Sequence, residues 1–241
     1  HSLEYWLKIS SGIGLVVFGV AGGLLADLSK SKNGEYDYNP STVPPTVEFL
    51  KASISALLAW CTQRRKSATA SISLKEYLLY AVPASCYFIT NSCMFLIVRD
   101  LGVTQFQILS TTKVLFTALF MRVFLGRRLH SKQVAALVLL VLGLIVTQVR
   151  GRSIDHPRSS LRGYLFVVLT SVASSVGGVY NEKLLKLHSG HSLHLKNILL
   201  YSWGVAFGLV ASWLTSSALD VRQSLFAGYN QIVCVMIFTL S

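Results

Sequence analysis

The sequence predicts an all-α protein that crosses a lipid bilayer several times, and three observations carry that prediction. Hydrophobic residues make up 52% of the chain and charged residues only 13%, where a soluble domain has about 25% charged residues. The apolar residues gather in blocks long enough to cross a hydrocarbon core of roughly 30 Å as a helix. The Lys and Arg behind the net charge of +12 lie mostly in short connections between those blocks, where they set topology and meet anionic headgroups. That placement points the charge at the bilayer and away from nucleic acid, the partner it would suggest in a soluble protein.

Taken in order, the first span is expected at 9–28, rich in glycines that allow close helix contact. No small-residue cleavage site follows it, so it does not read as a removable signal. A polar loop with Asn-Gly and Asn-Pro turn signals leads to Pro44 and Pro45, which can open the second span (46–62) because the first turn of a helix needs no N–H. Glu48 and Lys51 lie one turn apart on that span and share a face. They are either a self-neutralising ion pair or a charged pair facing a water-filled cavity. The third span (77–98) should kink at Pro83. It carries Asn91 beside Thr90 and Ser92, an amide that needs either a helix–helix partner or a ligand.

A four-residue turn at 99–102 should lead to a fourth span at 103–125. Phe106, Ser110, Lys113 and Thr117 form one stripe on it, at spacings of four, three and four. An ammonium at mid-membrane depth costs roughly 2.5–3.5 kcal/mol on insertion scales, so Lys113 marks a site unless it pairs with a carboxylate such as Glu48 or Glu182. Arg122 is near enough to the basic end to snorkel. The fifth span (134–149) is almost free of polar atoms and reads as scaffold. The sixth (163–184) has a run of small residues that means either tight helix packing or close approach of a ligand to backbone. The seventh (195–215) opens on Lys196 and Asn197 and carries Tyr201. An eighth starts near Tyr229.

With the N-terminus cytoplasmic, that side collects more Lys and Arg than the other, chiefly Arg64, Arg65, Lys66, Arg127, Arg128 and Lys132, although the basic loop at 150–162 runs against this orientation. The four cysteines form no C-x-x-C pair, and the six histidines show no ligand spacing. His188, His191 and His194 read as solvated loop residues. No metal or cofactor is expected. No span pairs a nucleophile with a placed base, so the reading is not an enzyme.

Several short motifs recur in a known order. They are E-F-L-K at 48–51, T-N-S at 90–92, F-Q-I-L-S-T-T-K at 106–113, T-A-L-F at 117–120, G-R-R-L at 126–129 and G-G-V-Y-N-E-K-L-L-K at 177–186. Together they make the chain resemble the nucleotide-sugar transporters of the Golgi and endoplasmic reticulum over essentially its whole length. The resemblance implies ten helices in two inverted five-helix repeats with both termini cytosolic. Here that gives about seven and a half helices, with residues 1–150 as the first repeat and 151–241 as an incomplete second. Both ends of the chain read as truncated, and the family's last two helices, with a further phosphate-binding lysine, are not expected in it.

The implied activity is exchange of a cytosolic UDP- or CMP-sugar for a luminal nucleoside monophosphate by alternating access, in a Golgi or endoplasmic reticulum membrane. Lys113 falls on the family lysine that meets phosphate. Asn91, Ser174, Asn197 and Tyr201 fall on positions lining the nucleotide cavity, and Glu48 and Lys51 on the second-span acid–base pair. Two positions depart from the pattern: Phe106 replaces a tyrosine, and Ser110 replaces a second bulky aromatic. The residues agree with the implied chemistry. Lys113 and Lys51 supply positive charge, while Asn91 and Asn197 can read a base edge. Tyr201 and Phe106 could stack on the base or close the cavity. A repeat pair rocking around a midplane site is a common transporter design. The alternative is a non-transporting membrane scaffold of the same architecture. Partners are the nucleotide sugar, the nucleoside monophosphate and the bilayer, with a homo-oligomer left open.

Overall fold

A computed structural model describes residues 2–31, 36–63, 72–126, 128–151, 161–187, 191–218, 226 and 228–241. Among these the chain is helical almost throughout. The helices are α1 (Ser2–Leu28), α2 (Val43–Gln63), α3 (Leu74–Leu79), α4 (Ala81–Leu101), α5 (Val103–Ser110), α6 (Lys113–Leu125), α7 (Ser131–Gly151), α8 (Leu161–Leu187), α9 (Leu193–Ala218) and α10 (Gln231–Leu240). Among the described residues, six stretches are long and apolar enough to cross a membrane: Tyr5–Leu28, Leu74–Leu101, Val103–Leu125, Ser131–Gln148, Leu161–Leu187 and Leu193–Leu214. The protein is therefore an all-α, multi-pass membrane protein. α2 is not among the six, because Glu48, Lys51 and its hydroxyls dilute its apolar run, and α10 is a shorter apolar helix. The basic residues Arg64, Arg65, Lys66, Arg127, Arg152, Arg158 and Arg222, which bear on orientation, lie outside the described residues, as does His188.

Local chemistry explains the breaks. Pro83 has no N–H to give to the preceding turn, and α3 ends at Leu79, with Tyr80 leading into α4. The expected four-residue turn at 99–102 shrinks to one residue. α4 continues through Leu101, and Gly102 alone makes the corner at φ +81°, in a region that only glycine enters freely. The fourth span is one stretch by hydropathy but two helices by geometry. Ser110 Oγ donates to the Gln107 carbonyl at 2.8 Å, and Thr111 Oγ1 donates to the Ile108 carbonyl at 2.7 Å. The amides of Thr111, Thr112, Val114 and Leu115 then bond three residues back, at 3.0–3.2 Å. Hydroxyls that compete for backbone carbonyls loosen a helix, and the result is a tighter 3₁₀-like turn between α5 and α6. The stripe Phe106–Ser110–Lys113–Thr117 consequently does not lie on one straight helix.

α4 is the central element, since it enters all three clusters buried among the described residues. It meets α1, α2 and α10 at Ala26, Val43, Val47, Phe95, Val233, Met236 and Ile237. It meets α8 and α9 at Ala84, Leu184 and Leu200, and α5 and α8 at Ile97, Leu101, Leu109 and Val167. The principal pairings are α4 on α8 and α9, α2 on α9, α6 on α8 and α1 on α10. Between lipid-like apolar surfaces, such pairs depend on close packing of small residues. At Gly177 an added Cβ would lie 2.8 Å from the Cys86 Cβ, whereas at Gly178 it would meet nothing within 4 Å. Gly177→Val should therefore force α8 off α4 at a cost of about 1–3 kcal/mol. The thermal midpoint should fall by roughly 2–12 °C, with Gly178→Val leaving it in place. Equal midpoints for the two variants would show that the α4–α8 seam tolerates the extra volume.

Candidate functional site

Three helices each turn one face to a common chamber. α2 presents Pro44, Glu48 and Lys51; α4 presents Ala84, Tyr87, Phe88 and Asn91; α9 presents Asn197, Leu200, Tyr201 and Gly204. These spacings of three and four residues are the signature of a single helix face. Asn181 of α8 adds to the wall, and the chamber, open on one side, has a volume of about 310 Å³. A second, smaller cavity of about 50 Å³ shares Pro44, Lys51 and Asn91 with it and is also lined by Met94, Phe95 and Leu240.

The charges inside are loosely held. Lys51 Nζ lies 3.5 Å from Glu48 Oε1, and Asn91 Nδ2 lies 3.4 Å from the same oxygen. Both distances exceed the usual hydrogen-bond length of about 2.9 Å. The carboxylate is shared between an ammonium and an amide, with tight bonds to neither. The ammonium also stands 5.9 Å from the centre of the Tyr201 ring, within cation–π range. Gly204 lets α2 come close, since a Cβ there would lie 3.0 Å from the Glu48 Cγ. The Tyr87 phenol interacts with the Asn181 amide. A ligand entering here meets three amides, two phenols and one internally balanced ion pair.

Tyr36 and Tyr38, from the segment before α2, pack with Phe95 of α4 and with Tyr229, just ahead of α10. Tyr38 Oη bonds Ser29 Oγ at 2.8 Å, and Tyr229 Oη bonds Thr42 Oγ1 at 2.7 Å. Tyr36 stands edge-on to Tyr38 and Phe95, and Tyr38 to Tyr229. Burial lifts the Tyr38 phenol to about 12 and raises Tyr229 in the same direction, so both stay neutral donors.

Of the positions singled out from sequence, Glu48, Lys51, Asn91, Asn197 and Tyr201 come together in the chamber. Lys113, Phe106, Ser110 and Ser174 do not line it. Phe106 packs on the Ile97–Leu109 cluster. Ser110 is the last residue of α5, and its Oγ donates back to the Gln107 carbonyl. Ser174 is half-buried on α8. Lys113 is exposed at the first position of α6. Its carbonyl accepts from Thr117 Oγ1 at 2.7 Å and Ser175 Oγ at 2.8 Å. Among the described residues its ammonium has neither Glu48 nor Glu182 as a partner: Glu48 faces Lys51, and Glu182 faces Lys186 at 2.6 Å. Sequence reasoning missed Tyr87, Phe88, Asn181 and Gly204. Stepping three or four residues along each helix from Asn91 and Tyr201 reaches all of these except Asn181.

A polar chamber inside a bundle of membrane-crossing helices is the anatomy of a multi-pass carrier. The family model described as nucleotide-sugar transporter matches residues 4–241, and the chain belongs to that family. CMP-sialic acid transporter 1 of Oryza sativa subsp. indica is 32% identical over 241 residues, covering 94% of this chain and 73% of the relative. CMP-sialic acid transporter 1 of Arabidopsis thaliana is 32% identical over 194 residues, 78% of this chain and 56% of the relative. The UDP-galactose translocator of Mus musculus is 31% identical over 205 residues, 80% of this chain and 52% of the relative. The chain thus spans about three quarters of the rice relative and about half of the other two.

Proposed function

We propose that this protein exchanges a UDP- or CMP-sugar from the cytosol for a luminal nucleoside monophosphate, by alternating access in the Golgi or endoplasmic reticulum membrane. The observation that carries the reading is the convergence of Glu48, Lys51, Asn91, Asn197 and Tyr201 on one chamber. Relatives named for CMP-sialic acid and UDP-galactose support the substrate class.

The nucleoside takes the chamber. Its amides each offer donors and an acceptor to a base or ribose, and its rings offer a stacking face. Glu48 and Lys51 cancel each other's charge, so the phosphates need a further cation. Lys113 supplies it. α8 links the two places: Asn181 is in the chamber, and Ser175, which holds the Lys113 carbonyl, lies six residues away, about 9 Å along the axis at 1.5 Å per residue.

Two repeats, 1–150 and 151–241, fit the packing. Exchanging the first, second and third spans with the sixth, seventh and eighth turns the α4–α8 pairing into the α10–α1 pairing and maps α2–α9 onto itself. Inverted repeats commonly place their substrate at this kind of interface.

The test is uptake by the full-length protein in proteoliposomes, across a panel of labelled UDP-, CMP- and GDP-sugars. Uptake of a UDP- or CMP-sugar, stimulated by preloaded UMP or CMP, is expected. Uptake that ignores the preload would remove exchange from the reading. No uptake of any nucleotide sugar by protein that still binds one would favour the non-transporting relative.

A further inference from the structure

α6 is weakly anchored by apolar packing. None of its residues is buried, and Val114, Leu119, Val123 and Phe124 are well exposed. Nor does α5 hold it rigidly. The amides of Thr111, Thr112, Val114 and Leu115 bond three residues back. Such a turn has poorer hydrogen-bond geometry than an α-helix and winds about 20° further per residue. The direction in which α6 leaves the turn is therefore left to contacts with other helices. So is the place of its first residue, Lys113.

α8 supplies the contact. Ser175 on it is only 1% exposed. Its Oγ lies 2.8 Å from the Lys113 carbonyl and 3.0 Å from Thr117 Oγ1, so it donates to α6 and accepts from it. It also lies 2.7 Å from the Ser171 carbonyl, one turn back on α8. A serine inside any helix can make that second kind of bond. The bond to Lys113 is different, since it crosses the seam to the residue at which α6 begins. Two residues further on, Gly177 meets Cys86 of α4. Two residues turn a helix through about 200°, so α8 offers α6 and α4 nearly opposite faces. Asn181, one turn beyond Gly177, reaches the chamber. One helix thus sets the Lys113 backbone relative to the chamber wall.

We infer that Ser175 is a positioning residue for Lys113: its hydroxyl ties the start of α6 to α8 and so holds the ammonium where the phosphates of a ligand seated in the chamber arrive. This rests on the reading of Lys113 as the phosphate-binding cation. Without the tie, the lysine has to be ordered as the ligand binds, and the loss of affinity cannot exceed what the tie contributes. The experiment is titration of the full-length protein in lipid nanodiscs with UMP and CMP, and with uridine and cytidine. Ser175→Ala should weaken the monophosphate that binds by about 2–12-fold, the span of one hydrogen bond, and leave its free nucleoside unchanged. Ser175→Cys, close in size and a weak donor, should fall between alanine and serine. Thr170→Val removes another buried hydroxyl of α8, one that donates to the Val167 carbonyl of the same helix, and should leave both affinities in place. In a Lys113→Ala background, Ser175→Ala should add no further loss. A free nucleoside weakened as much as the monophosphate would mean a general disturbance of the chamber and overturn the positioning role. So would additive losses in the double variant, or unchanged monophosphate binding by Ser175→Ala where Lys113→Ala weakens it. Unchanged monophosphate binding by Lys113→Ala would remove the phosphate reading itself, and the role of Ser175 with it.

Discussion

Lys113→Ala should lower exchange by the full-length protein by about 10–150-fold, the loss of one charge-assisted contact worth about 1.5–3 kcal/mol. The Lys113 side chain does little structural work. The ammonium is exposed and, among the described residues, unpartnered. What holds this point of the fold is its carbonyl, gripped by Thr117 and Ser175, and alanine keeps that carbonyl. The thermal midpoint should therefore not move. The defect should appear as weaker binding of both the nucleotide sugar and the monophosphate, since both carry phosphate, with a free nucleoside bound as before. Lys113→Arg keeps the charge and should recover part of the activity. Wild-type exchange by the alanine variant would take Lys113 out of the binding site.

The second large effect concerns stability. Glu48 and Lys51 are 11% and 22% exposed at the side chain. Removing one member of a buried pair leaves an uncompensated charge, at a cost of about 3–5 kcal/mol. For a chain of this size that is a fall in thermal midpoint of roughly 6–20 °C. Glu48→Ala should show it, and Lys51→Met should show it in reverse. The double replacement Glu48→Gln with Lys51→Met removes both charges at similar volume and should return most of the midpoint, because a neutral pair has no charge to desolvate. It should not return exchange, since the chamber then lacks the ammonium beside Tyr201. If the double variant is no more stable than either single one, the two charges are not coupled, and the 3.5 Å separation is only proximity.

Much of the architecture is written locally. The apolar runs of α1, α7, α8 and α9 give away their spans, because a helix in lipid must satisfy its backbone internally and present apolar side chains over its length. Pro83 marks the α3–α4 junction, and the adjacent prolines at 44 and 45 mark the start of α2. The corner at Gly102 is tighter than turn composition suggests, since one left-handed glycine does the work of a longer loop. The break at Thr111–Thr112 is hidden from hydropathy altogether. Serine and threonine are apolar enough to continue a membrane run, yet their hydroxyls bond the preceding carbonyls and tighten the turn.

The site divides along the same line. Glu48, Lys51 and Asn91 stand out because a charge or an amide inside an oily helix is costly wherever it points. That cost is visible residue by residue and does not depend on neighbours. Whether such groups meet does depend on them. The sequence lists Lys113, Ser110 and Phe106 beside one another, but the α5–α6 break and the packing of α6 on α8 carry them away from the chamber. Asn181, from a helix distant in the chain, is brought into it instead. The apolar runs and the buried charges follow from each residue's own affinity for oil or water. Which of them share a chamber is set by the rotation of each helix about its axis, and that is decided by contacts with other helices.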